Sequence, residues 1–293
     1  MIEDFLSQGI VLNQSNKGEI MDLKYRARLS LAAVAALVVA ALVAPAANAA
    51  TPAPGYTQFT GCPTAAEVPT TEFCMHSKIK GGFFKMGNKK VPIENPITIT
   101  GGVNVELEHF AATSQGGMKP VKQKVPGGVV GLTGLTWLLE LLGSEALTLY
   151  AVTEAMGPPA LTLTTIDMPI RVHLINSTLG NNCYVGTPSN PIQLHLTTGT
   201  TSPPPPNTPI SGKEGELGFT ESTGILTLNN STFVDNSFSA PGASGCVLTL
   251  FGFIPISING LVNTQSGLPA PAGTNETVQE IDSQFAPVTK VYP

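Results

Sequence analysis

Through most of the chain, apolar and polar residues alternate with a period of two. PITITGGVNVELEHF (Pro96–Phe110), ALTLTTI (Ala160–Ile166), GILTLNNSTFVDNSF (Gly224–Phe238) and CVLTLFGFIPISING (Cys246–Gly260) all carry this pattern. Successive side chains of a strand point to opposite faces, so the alternation predicts half-buried strands, broken where Gly, Asn or Pro interrupts it. Two nearly identical hexapeptides, PIRVHL (Pro169–Leu174) and PIQLHL (Pro191–Leu196), extend the pattern. Ile170, Val172 and Leu174 share one face and leave Arg171 and His173 on the other. Ile192, Leu194 and Leu196 likewise leave Gln193 and His195 opposite. Pro-Ile-x-Val/Ile/Leu recurs at 96, 169, 191 and 255. Proline suits the first residue of a strand, where no ladder donor is needed. The unequal spacing marks a habit of starting strands and not an internal repeat.

One segment follows a different period. Over Leu132–Leu147, Leu132, Leu135, Leu138, Leu139 and Leu142 fall on one helical face, with Thr133, Thr136, Glu140 and Ser144 opposite. The spacing predicts a short amphipathic helix. Trp137 and Leu141 lie off the leucine face, so the helix is apolar over most of its circumference. Leu135, Trp137, Leu139, Leu141 and Leu142 are therefore the candidate residues for bordering an apolar ligand or touching lipid. The expected fold class is mainly β: an antiparallel β-sandwich or a partly closed β-barrel with one short amphipathic helix. A single β domain over residues 50–293 is expected, with two smaller domains divided near Val125 as the alternative.

The first fifty residues read differently. From Met21 a basic head (Lys24, Arg26, Arg28) precedes an uncharged apolar stretch, Leu29–Val43, and a small-residue end, ANA. This is the grammar of a secretory signal peptide over 21–49, cleaved after Ala49. The apolar stretch is shorter than the roughly 20 residues that span a bilayer, so no transmembrane anchor is expected after cleavage. Residues 1–20 are polar and unlike a signal head. Lys17-Gly18-Glu19 can be encoded by purine-rich codons resembling a ribosome-binding site, so 1–20 is expected to be a mis-called start. The exported chain is expected in the medium or at the cell envelope.

Export changes the reading of the cysteines. Cys62, Cys74, Cys183 and Cys246 form an even set in an oxidising compartment, and they are expected to pair as Cys62–Cys74 and Cys183–Cys246. A zinc site needs closer spacing such as CxxC, which is absent. From Ala50 onward the chain holds 11 Lys+Arg and 16 Asp+Glu, and eight of these bases fall between Lys78 and Lys124. A basic N-terminal face suits cell-wall polymer or anionic lipid as a partner. No aromatic residues interleave with the lysines as a stacking platform, so nucleic acid is not expected. The polyproline run TSPPPPNTP (Thr201–Pro209) predicts a stiff surface loop. Asn-x-Ser/Thr sites at Asn176, Asn229, Asn230 and Asn275 matter only in a eukaryotic secretory host.

A search for chemistry finds little. There is no G-x-S-x-G, H-E-x-x-H, P-loop or G-x-G-x-x-G signature. His173 and His195 have no further ligands spaced to complete a metal pair. Glu106 and Glu108 beside His109 form the one local acid–base cluster, read as strand residues on a solvated edge. No catalytic residue, metal or cofactor is expected.

The run LGNNCYVGTPSNPIQLHLTTGTTSPPPPNTPISG (Leu179–Gly212), with NNSTFVDNSFSAPGASGC later, resembles a group of exported proteins from actinobacteria, the high-GC Gram-positive bacteria. That group has no assigned function, so the resemblance implies an exported origin and transfers no catalytic residue. The expected function is that of a non-enzymatic exported protein of the envelope or medium, acting by surface contact. The alternatives are a carrier holding an apolar small molecule or lipid between sheet and helix, and a hydrolase with a non-local site.

Overall fold

Most of the alternating stretches form antiparallel strands, but ALTLTTI does not run as one: Ala160–Leu161 is a short strand that pairs back across residues 162–164 onto the strand beginning at Thr165. The computed structural model describes residues 50–293, apart from 108 and 251–253; the expected leader and mis-called start lie outside the described residues. In chain order come β1 (Phe73–Met86), β2 (Lys89–Pro92), β3 (Ile97–Val103), β4 (Phe110–Ala111), β5 (Gly117–Met118) and β6 (Lys122–Lys124). Two helices follow, α1 (Gly128–Thr133) and α2 (Leu138–Ala146). Next are β7 (Tyr150–Ala155), β8 (Ala160–Leu161), β9 (Thr165–Ile175), β10 (Tyr184–Val185), β11 (Ile192–Thr197) and β12 (Glu216–Thr220). The chain ends with β13 (Ile225–Asp235), β14 (Ala243–Ser244), β15 (Val247–Leu250), β16 (Ile254–Ser257), α3 (Asn259–Ser266), β17 (Glu276–Pro287) and α4 (Val288–Val291).

The two hexapeptides lie in neighbouring strands. β9 carries β7 and β8 along one edge, with β10 and β11 along the other. From β11 the sheet continues through β13, β17 and β1 to β3. Residues 117–124 pair with β3 at their start and with β7 at their end. This run joins the two flanks of the sheet and draws it into a curled half-barrel. Of the two architectures the alternation allowed, the molecule adopts the partly closed barrel. The alternation also sets the core: in β11, Ile192, Leu194 and Leu196 are buried while Gln193 and His195 are exposed.

Proline behaves as expected at two positions and differently at two others. Pro96 and Pro191 immediately precede β3 and β11, but Pro169 lies inside β9 and Pro255 inside β16. Pro169 is tolerated because it falls where β8 has ended and β7 has not begun along one edge.

The expected helix is broken. α1 stops at Gly134, whose backbone is left-handed (φ 74) and whose N–H donates to the Val130 carbonyl. A second left-handed glycine, Gly143 (φ 77), interrupts α2. Leu135 and Trp137 therefore lie between helices. In all, four short helices stand among the described residues.

Both disulfides pair as expected, Cys62 with Cys74 and Cys183 with Cys246, leaving no free cysteine among the described residues. The second bond sits where β10 pairs with β14. Gly245 permits this approach, because a Cβ there would collide with the Asn182 carbonyl. The first bond lies in a small satellite core with Phe59, Ala286, Val288 and Val291, and the Tyr292 hydroxyl donates to the Cys62 carbonyl at 2.9 Å.

Candidate functional site

Leu132 and Leu138 anchor the helical end of the barrel in the core, where both are buried. That anchoring turns other leucines outward. Leu135 is half-buried against the core, while Trp137 (45%), Leu139 (46%), Leu141 (55%) and Leu142 (40%) are exposed. A cavity of about 420 Å³ lies between this segment and the sheet, lined by Glu94, Lys124, Val130, Leu139, Ser144 and Thr148 among others. Of the five candidate residues only Leu139 reaches it. A carboxylate, an ammonium and two hydroxyls make this lining mixed rather than apolar.

Near α2 projects the β15–β16 hairpin, whose Ile254 and Ile256 are also exposed. One turn links the two elements. The Asn176 side-chain amide donates to the Ala146 and Thr148 carbonyls at 2.8 and 2.7 Å, and the Val247 N–H donates to the Leu179 carbonyl. Lys89 reaches the same end, its Nζ donating to the Gly131 carbonyl at 2.5 Å. At this end of the molecule Trp137, Leu139, Leu141 and Leu142 are exposed, and so are Ile254 and Ile256 of the hairpin; Lys124 lines the cavity beside Leu139.

The two hexapeptide histidines belong to separate clusters. The His173 ring stacks on Tyr184 with centroids 4.3 Å apart, contacts the Asn181 carbonyl at 3.0 Å and lies 3.4 Å from Glu154. Glu154 also pairs with Arg171, whose guanidinium covers the Tyr184 ring. His195 contacts the Asp167 carboxylate, opposite it in the register of β9 and β11. Asp167 and His173 are six residues apart on β9, roughly 20 Å at the rise of an extended strand. The hexapeptides are thus two strands that look alike, and each histidine has its own carboxylate. Among the described residues no serine or threonine hydroxyl bonds to either ring, and no group of three or more His, Cys, Asp or Glu side chains is placed to hold a metal.

Behind His195 is a carboxylate that its sequence position did not mark. Asp235 is buried and accepts hydrogen bonds from the His195 and Ser237 backbone amides at 2.7 and 2.8 Å. Burial pushes its carboxyl above the usual aspartate range, against the pull of those two amides. A carboxyl whose value is higher in the fold than in the unfolded chain favours folding at low pH. That contribution is complete below the unfolded value of about 4 and is lost as pH rises through the folded value. Asp235→Asn is expected to flatten the fall in stability above about pH 4, on top of a constant loss from one unmatched amide. Denaturant titrations of both proteins across the acid-to-neutral range check the slope.

The acid–base cluster near His109 is not on a strand. β3 ends at Val103, and Asn104 organises a turn by accepting from the His109 N–H and donating to Glu106. Such local side-chain bonds compete with ladder pairing. Glu108 lies outside the described residues. Among the described residues no helix is long and apolar enough to cross a membrane. Compared with protein-family models, curated proteins and solved structures, the chain has no match.

Proposed function

We propose that this is an exported, non-enzymatic protein of the cell envelope or medium, of actinobacterial type, that acts by contact with a lipid surface. The supporting observation is the exposure of Trp137, Leu139, Leu141 and Leu142 on a segment whose other leucines are buried or half-buried. A helix that packs on a sheet needs one apolar stripe. Here four apolar side chains around the buried Leu138 are left exposed. Tryptophan and leucine favour the boundary between head groups and acyl chains, and Lys89 and Lys124 nearby favour anionic head groups. Glu140 on the same helix opposes that attraction, so apolar burial is the larger contribution.

The test is co-sedimentation with phosphatidylglycerol vesicles. The wild type is expected to pellet with them, and Leu141→Asp to remain in the supernatant. Leu141 is more than half exposed, so this substitution is expected to change folding stability by no more than about 0.5 kcal/mol. A wild type that pellets with purified cell wall and not with vesicles would assign the contact to polymer instead.

A further inference from the structure

The opposite end of the barrel holds a different apolar feature. Along β1 the helical end is reached just past Met86, where the Asn88 N–H donates to the Ser266 carbonyl of α3, whereas Met75–Ile79 lie beside a cleft on the inner face of the sheet. Direct cross-strand partners share a face, and the register of five strands sets out two rows. One runs Leu217, Leu228, Ser283, Ser77, Ile99 from β12 to β3. The other runs Phe219, Leu226, Phe285, Met75, Gly101 over the same strands.

Burial increases along both rows. Leu217 and Phe219 are 73% and 64% exposed, the β13 leucines are half-buried, and Met75, Ser77 and Ile99 are buried. Across the cleft, Leu107, Leu161 and Leu163 form the facing wall, and Leu163 is 73% exposed at the rim. Two small side chains create the depth. Ser77 and Ser283 stand where large residues would fill the space, and their hydroxyls bond to each other at 2.8 Å.

No lining side chain is charged, and the serine pair satisfies itself, so the cleft favours an apolar occupant over one carrying a buried charge. The remaining space is about 60 Å³. Five strands at about 4.8 Å spacing give a track of roughly 19 Å from Ile99 to Leu217. A rounded apolar ligand would occupy the deep end and leave the rim bare, whereas a linear one covers both.

We propose that this cleft binds the alkyl chain of a lipid, with the chain end beside Ser77 and Ser283 and the remainder lying over Leu217 and Phe219. The site is distinct from the α2 surface and does not depend on it.

The experiment uses the purified, oxidised protein with the uncharged dye Nile red as probe and dodecanol as competitor. Wild type is expected to bind the dye and to release it to dodecanol. Ser283→Leu fills the floor, Leu217→Glu charges the rim, and each is expected to weaken dye binding at least tenfold. Ser283→Leu is checked by circular dichroism; if it fails to fold, Leu217→Glu, at an exposed position, decides alone. Leu141→Asp is expected to bind dye like wild type while losing vesicle binding, which separates the two sites. The proposal is overturned if wild type does not bind, if the folded cleft variants bind normally, or if Leu141→Asp abolishes dye binding.

Discussion

Replacing Cys183 and Cys246 together by alanine is expected to lower folding stability by about 4 kcal/mol. The bond joins positions 63 residues apart. In the chain-entropy description, closing a loop of that length removes about 4 kcal/mol of freedom from the unfolded chain at room temperature. Cys62 and Cys74 are separated by only 12 residues, and their double replacement is expected to cost about 3 kcal/mol on the same reasoning. The long bond also fastens the short β10–β14 pairing, which has only two residue pairs of its own. Guanidinium unfolding of both double variants against wild type measures the difference. A smaller loss for the long bond than for the short one would show that loop closure does not govern its contribution.

Asn275→Ala is expected to be nearly as damaging, at about 3 kcal/mol, although it removes a polar side chain. Asn275 is completely buried. Its Oδ1 accepts from the Gly87 N–H at 2.9 Å, and its Nδ2 contacts the Phe238, Ala270 and Pro271 carbonyls. One side chain thus joins the β1–β2 turn, the segment after β13 and the loop before β17. Truncation strands buried partners, and each unmatched group costs about 1–3 kcal/mol, with partial relaxation limiting the sum. Thermal unfolding against wild type is the check, and a loss below about 1 kcal/mol would mean that water replaces the amide. The same burial removes Asn275 from the surface sites at which its Asn-x-Thr motif would matter. Asn176 is largely buried in the same way, between α2 and β9.

Much of the molecule was legible from local chemistry. Alternation located the strands and told inward residues from outward ones, as in β11, because period two is imposed by the pleat itself. The disulfide pairing followed the expectation set by an even cysteine count in an exported chain. The helix was misjudged in extent because a leucine period counts side chains and ignores backbone: Gly134 and Gly143 adopt left-handed conformations that stop a helix whatever the surrounding pattern. The turn at Asn104 was read as strand for a related reason, since side-chain bonds to the backbone leave no periodic trace.

By itself, the order of residues determined what is repeated or near in sequence: the β class, the two similar hexapeptides with histidines on their polar sides, and the short Cys62–Cys74 loop. Which strands neighbour one another was decided only by the tertiary structure. Ser77 and Ser283 are 206 residues apart and unremarkable alone, yet pairing of β1 with β17 joins them at the floor of a cleft. Leu217 and Phe219 are apolar, but β12 pairs only with β13 at the sheet edge and leaves them exposed. Leucines of one helical stripe were likewise divided between core and solvent by where α1 and α2 settled. Periodicity specifies which side chains share a face; only long-range pairing determines what, if anything, covers that face.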